Sequence, residues 1–186
     1  NYTTKAGDGK LTLSLAANWN KVAFTRVYPT ALRIGADNQL PTDPQVRAQY
    51  LSDIYLNRNS RGSFENGSPK QKYIASAVYS IGPFSAMVRG IHYGGVKYLS
   101  NYHEVDGDLS TPFADYTLGA RTTLDVSVSY QLIKQLRLSI GGDNVTNAYP
   151  TKTRTDLTDS GRFAYDNYQM GYQGAYYYAR LSFTVK

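Results

Sequence analysis

The chain has 186 residues and a formal charge of +6, with 18 Tyr against 6 Phe and 1 Trp. With no cysteine, disulfides and thiolate metal sites are excluded, and Lys and Arg are scattered without the basic stripe of a nucleic-acid groove. No apolar run approaches the roughly 18 residues of a transmembrane helix, and the start Asn1-Tyr2-Thr3-Thr4 has no signal-peptide layout. Neither observation bears on a β-barrel, whose strands need only about 9–11 residues with alternate side chains facing lipid.

Period-two alternation begins at Lys10–Asn20, where Leu11, Leu13, Leu15, Ala17 and Trp19 alternate with Thr12, Ser14, Ala16, Asn18 and Asn20. Asp8-Gly9 reads as the tight turn before this strand. From Val27 to Pro69 the alternation is lost among Pro29, Pro41, Pro44, Gly62 and Gly67, which reads as a long loop with a short helix or strand at Gln45–Leu56. Strands over Lys72–Ile81 and Phe84–Leu99 come next, joined at Gly82-Pro83. Folding them about that two-residue turn puts Tyr79, Ala77 and Ile81 on one face with Phe84, Ala86 and Val88, while Ser80, Ser76 and Val78 share the other with Ser85, Met87 and Arg89.

A second loop, Ser100–Phe113, carries Asp106-Gly107-Asp108. Thr122, Leu124, Val126, Val128, Tyr130 and Leu132 then alternate with Thr123, Asp125, Ser127, Ser129 and Gln131. A turn at Lys134 returns the chain through Leu136, Leu138 and Ile140, setting Tyr130 against Leu138, Val128 against Ile140 and Gln131 against Arg137. A third loop, Ala148–Gln173, leads to a last strand over Ala175–Val185, and the parity of Lys186 points to an outward residue just beyond it.

Connections thus alternate long and short, as in a transmembrane barrel with short periplasmic turns and long outer loops. A soluble all-β binding module also alternates faces but does not require this segregation of loop lengths. A complete small outer-membrane barrel, acting as anchor or adhesin, needs two more strands, around Gln45–Leu56 and Phe163–Gln169. The expected fold class is all-β, with about six antiparallel transmembrane strands.

Three stretches carry a family resemblance. Gly142-Asp143-Asn144-Val145-Thr146-Asn147-Ala148-Tyr149-Pro150 resembles the penultimate-strand signature of TonB-dependent receptors, with Val145-Thr146 where Leu-Phe is commoner. Glu65 to Lys72 resembles that family's Gly-x-Pro-basic approach to an earlier strand, and Tyr176–Val185 resembles its closing strand. The resemblance implies that residues 1–186 are the C-terminal segment of a barrel of about 22 strands, with the plug and earlier strands absent from this sequence. It implies a bacterial outer-membrane importer of a scarce nutrient (metal chelate, haem, cobalamin, glycan or peptide), coupled to the inner-membrane TonB complex through the plug. Its partners would be the rest of the barrel and plug, outer-membrane lipid and lipopolysaccharide, and a small-molecule or peptide substrate.

No acid–base or nucleophile set emerges, so no enzyme activity, cofactor or nucleic-acid partner is expected. His92 and His103 stand on different elements, a poor metal site, and Asp106-Gly107-Asp108 lacks the ligand spacing of a calcium loop. Asn66-Gly67-Ser68 and Asn144-Val145-Thr146 match a glycosylation pattern without meaning in a bacterial outer membrane. Asp125 and Asp143 fall opposite each other, with Arg180 on the neighbouring final strand expected within reach of Asp143, and the two carboxylates repel unless a cation or a plug residue lies between them. We read Asp125, Asp143 and Arg180 as a luminal cluster that contacts the plug, with ordinary wall residues in water as the plain alternative. Tyr50, Tyr55, Tyr102, Phe163, Tyr165 and Tyr168 are loop residues available to a substrate, against the alternative of loop packing.

Overall fold

The computed structural model describes residues 1–25, 43–44, 56–105, 108–153 and 164–185. The chain divides into two compact units, one of residues 1–20, 69–95 and 118–186 and the other of 21–68 and 96–117. Of Gln45–Leu56 only Leu56 is described, and Tyr50, Tyr55, Asp106, Gly107, Phe163 and Lys186 lie outside the described residues.

The first unit is built on one antiparallel sheet of seven strands. Its strands are β1 (Tyr2–Ala6), β2 (Gly9–Trp19), β3 (Gln71–Ile81), β4 (Phe84–Tyr93), β7 (Arg121–Ile133), β8 (Leu136–Asp143) and β9 (Tyr176–Phe183), paired in that order. β1 gives no signal in the sequence because five residues, Thr-rich and with one Lys, carry too little apolar alternation to register. Its presence moves the first turn to Gly7-Asp8, with Ala6 opposite Gly9. Gly7 and Gly82 both have positive φ (59° and 52°), placed first in two-residue turns whose backbone twist matches that of the flanking strands.

The β3–β4 register has Ile81 opposite Phe84, Tyr79 opposite Ala86 and Ala77 opposite Val88, as expected. At the third turn Tyr130 meets Leu138, Val128 meets Ile140 and Gln131 meets Arg137, again as expected. The ladder is irregular between Gln131 and Ile133, and the Gln131 amide compensates. Its Nε2 donates to Ile133 O at 2.8 Å while Oε1 accepts from Arg137 Nε at 3.1 Å.

The strand expected over Phe84–Leu99 ends at Tyr93. At Gly94 a Cβ would lie 3.0 Å from Gln71 O, and at Gly95 3.1 Å from Leu118 O. Two glycines in succession therefore let backbones approach closely and redirect the chain. Beyond them the chain forms a separate short strand, β5 (Val96–Tyr98), paired with β6 (Tyr116–Leu118).

The registers run in continuous rows across the sheet and separate two faces. One face carries Tyr2, Leu13, Ala77, Val88, Val126, Gly142 and Tyr177 in one row and Thr4, Leu11, Tyr79, Ala86, Val128, Ile140 and Ala179 in the next. No Asp, Glu, Lys or Arg stands on it. Every charged residue of the seven strands (Lys5, Lys10, Lys72, Arg89, Arg121, Asp125, Arg137, Asp143 and Arg180) falls on the other face. The apolar face is nonetheless exposed, with Leu15 78%, Ile140 59% and Leu181 64% accessible. Among the described residues the buried apolar side chains are Val96, Ala114, Leu118 and Met170, none of them in a strand of this sheet. A water-soluble sheet buries such a face; here it is presented outward.

The second unit holds a helix, α1 (Arg58–Asn66), within the stretch expected as loop. Asn57 caps it, accepting from Ser60 N–H at 2.8 Å. Gly62 lets the helix lie against Leu99, where a Cβ would come 2.8 Å from the leucine side chain. Asn59 Nδ2 donates to Leu99 O, and its N–H to Asn101 Oδ1.

Candidate functional site

The charged face concentrates polar chemistry at the β4–β7–β8 junction. Arg89 pairs in register with Asp125, and its Nε donates to Asp125 Oδ2 at 2.8 Å. The other carboxylate oxygen, Oδ1, accepts from Asn144 N–H at 2.7 Å, so Asp125 is buried with both oxygens satisfied. Asp143, 53% exposed, lies with Oδ1 3.9 Å from Arg89 Nη2, an ion pair too long for a hydrogen bond. One guanidinium thus serves two carboxylates, and the cluster is left with one excess negative charge facing a cavity of about 270 Å³. Tyr93, Thr123 and Asn144 line the same cavity, as do Met170 and Gln173 from the third long connection.

Asp125 and Asp143 are therefore brought together, but the cation between them is Arg89. Arg180 stands opposite Ser139 and Asp143 opposite Tyr176, so the two are separated by four residues, about 13 Å of strand. The Arg180 guanidinium instead lies over the Tyr178 ring, 5.6 Å from its centroid. Nothing in the sequence singles out Arg89, because β4 and β7 are joined through a long connection and no short turn fixes their register.

The Asn144–Tyr149 stretch is a hydrogen-bonded clasp that turns the chain out of β8. Asn144 and Asn147 adopt positive φ (51° and 53°), which asparagine tolerates better than other side-chain-bearing residues. Asn144 Oδ1 accepts from Ala148 N–H at 2.9 Å, its Nδ2 donates to Ala148 O at 2.8 Å, and Asn147 Oδ1 accepts from Ala175 N–H at 3.0 Å. Tyr149 stacks on Tyr165 (centroids 5.2 Å apart), and its carbonyl accepts from Arg121 Nε. Gln169, buried, donates from Nε2 to Gly94 O at 2.9 Å and Gly119 O at 2.7 Å, tying the third connection to the ends of the wall strands.

The histidines do not meet. His92 Nδ1 lies 2.9 Å from Thr122 Oγ1, while His103 tilts on Phe113 and bonds Thr111 O. Asp108 accepts from Ser110 N–H and Oγ, which is turn chemistry. Among the described residues no three His, Asp or Glu are grouped as metal ligands. Tyr102 is 66% exposed, and Tyr168 is partly exposed.

In the second unit Arg58 grips Asp115 with two parallel bonds of 2.7 and 2.8 Å while lying 4.3 Å over the Phe113 ring. Partial burial raises the Asp115 pKa. The Arg58 bonds, the Ser100 N–H at 3.0 Å and the nearby Lys97 together outweigh it and hold the carboxyl below its ordinary value of 3.8. The fold favours the carboxylate form, so this contribution is complete above 3.8 and fades as pH falls through the lower folded value. An acid titration followed by the Ser100 amide resonance is expected to show a midpoint below 3.8, absent in Asp115→Asn; a midpoint at or above 3.8 contradicts the pairing.

No curated protein and no solved structure matches the chain. The family model described as "TonB dependent receptor-like, beta-barrel" matches residues 7–145. That span takes in β2, β3, β4, β7 and β8 with the charged cluster between them, and covers well over half of the sequence. The apolar outer face, the polar inner face and this match agree: the chain belongs to the β-barrel family of TonB-dependent receptors, transport proteins of the bacterial outer membrane.

Proposed function

We propose that residues 1–186 form the C-terminal wall segment of an active importer, with the plug and earlier strands supplied by the rest of the receptor. The observation that carries this reading is the complete segregation of charge to one face of a sheet whose other face is apolar and exposed. Strands of 10–13 residues at β2, β3, β4 and β7 suit a tilted crossing of a hydrocarbon core. Among the described residues the sheet has seven strands with β1 and β9 at its edges, short of the roughly eight of the smallest membrane barrels, which supports further strands closing the wall.

In this reading the turns at Gly7-Asp8, Gly82-Pro83 and Lys134-Gln135 face the periplasm. The three long connections face outside, where Tyr102, Tyr165 and Tyr168 are offered to a scarce nutrient such as a metal chelate, haem, cobalamin, glycan or peptide. Energy comes from the inner-membrane TonB complex acting on the plug. Asp125 and Asp143, joined through Arg89, face that plug across the lumen, and Arg180 lines the same wall nearer the short turns.

The test is the intact mass of the protein purified in detergent from its native outer membrane, with peptide sequencing upstream of Asn1. A much larger polypeptide, or a tightly bound companion carrying a plug, is expected. A mass of 20.7 kDa with no companion would end the transport reading.

A further inference from the structure

On the apolar face, β7, β8 and β9 line an open hollow of about 470 Å³, within the range of small-molecule sites, about 300–1,000 Å³. Gly142 creates it. In the row Val126, Gly142, Tyr177 the glycine contributes no side chain, and the Tyr177 ring folds onto it, within 2.8 Å of where a Cβ would sit. The space left beside the ring is walled by Val126, Val128 and Ile140 and closed toward the Lys134 turn by Tyr130. No charged residue lines it.

We propose that this hollow is a binding site for one acyl chain of a lipid of the surrounding membrane, held as a fixed ligand. The inference rests on the reading of this face as the membrane face. The hollow is continuous with the exposed Ile140 and Leu181 surface that meets hydrocarbon, so lipid is the occupant that reaches it without displacing another partner. Its carbon walls offer no set of donors or acceptors for a polar solute. It opens on the side-chain face of β7, β8 and β9 and not along the backbone edge of β9, where an added β-strand would pair. Alkyl chains gain no hydrophobic driving force by moving from bilayer to protein, so retention comes from close packing between the rings.

The experiment uses the receptor carrying this chain, reconstituted in dimyristoylphosphatidylcholine vesicles and extracted in mild detergent, with retained lipids counted by native mass spectrometry. The wild type is expected to keep one lipid more than Ile140→Trp, whose indole fills the hollow. Tyr177→Ala, which opens the hollow without adding bulk, is expected to lose the same lipid. Leu15→Trp, on the same face but away from the hollow, is expected to keep the wild-type number. Equal retention in wild type and Ile140→Trp, or equal loss in Leu15→Trp, would overturn the site while leaving the barrel reading intact. A protein that stays in solution without detergent and never enters the vesicles would overturn both.

Discussion

Asp125→Ala is expected to lower the folding stability of the wall by about 3 kcal/mol, measured as the shift of a urea unfolding curve in bilayers. Two costs combine. The Asn144 N–H, which donates to Asp125 Oδ1 at 2.7 Å in a buried position, is left without an acceptor, a loss of roughly 1–3 kcal/mol. Arg89 also loses its partner, but at 42% exposure it regains water, so this loss falls well under the figure for a fully buried pair. Asp125→Asn keeps an oxygen for the Asn144 N–H and is expected to cost only about 1 kcal/mol. Asp143→Ala, which removes a half-exposed carboxylate 3.9 Å from Arg89, is expected to cost less than about 1 kcal/mol. If Asp143→Ala destabilises as strongly as Asp125→Ala, the assignment of Asp125 as the anchor of the β8 exit is wrong.

The same comparison separates structure from transport. Because Asp143 contributes little to folding, a loss of import in Asp143→Ala with an unchanged urea curve would assign its charge to the lumen. Asp125 cannot be read that way, since its substitution disturbs the clasp at Asn144.

Sequence signals are legible over the range on which they act. Period-two alternation and short turns are local, so the faces of β2, β3, β4, β7 and β8 and the registers across Gly82-Pro83 and Lys134-Gln135 can be read directly. The β4–β7 register is set by neither, and with it goes the Arg89–Asp125 pair on which the cluster depends. Asp125 and Asp143 are legible as neighbours because one short turn relates their strands; Arg180 is wrongly placed beside Asp143 because β8 and β9 are linked through a long connection. Helix α1 is hidden for a different reason. Its residues, Arg-Asn-Ser-Arg-Gly-Ser-Phe-Glu-Asn, include few strong helix formers, and it is secured by the Asn57 cap and by Gly62 lying against Leu99, both contextual. The Asn-rich signature is recognisable as a pattern, but its role as a set of side-chain acceptors for backbone N–H groups emerges only from the geometry.

Leu13→Arg is expected to cost about 2–4 kcal/mol of folding stability in phosphatidylcholine bilayers, whereas Thr12→Arg, one residue away, costs close to nothing. Leu13 sits midway along β2 in the apolar row with Ala77 and Val88, while Thr12 shares the opposite face with Thr3 and Val78. A guanidinium at Leu13 enters hydrocarbon; one at Thr12 enters the polar face that already holds Lys10 on the same strand. The cost must also fall with depth, because charge near the interface reaches water. Trp19, at the end of β2 where its Nε1 donates to Tyr73 Oη at 3.0 Å, is expected to accept Arg for roughly 1 kcal/mol of depth-dependent cost plus the loss of that contact. A soluble sheet with a solvent-facing apolar side predicts no such difference, since arginine on an exposed face is harmless in water. Equal costs at positions 12 and 13, or no decline from Leu13 to Trp19, would therefore remove the membrane from this face and the barrel with it.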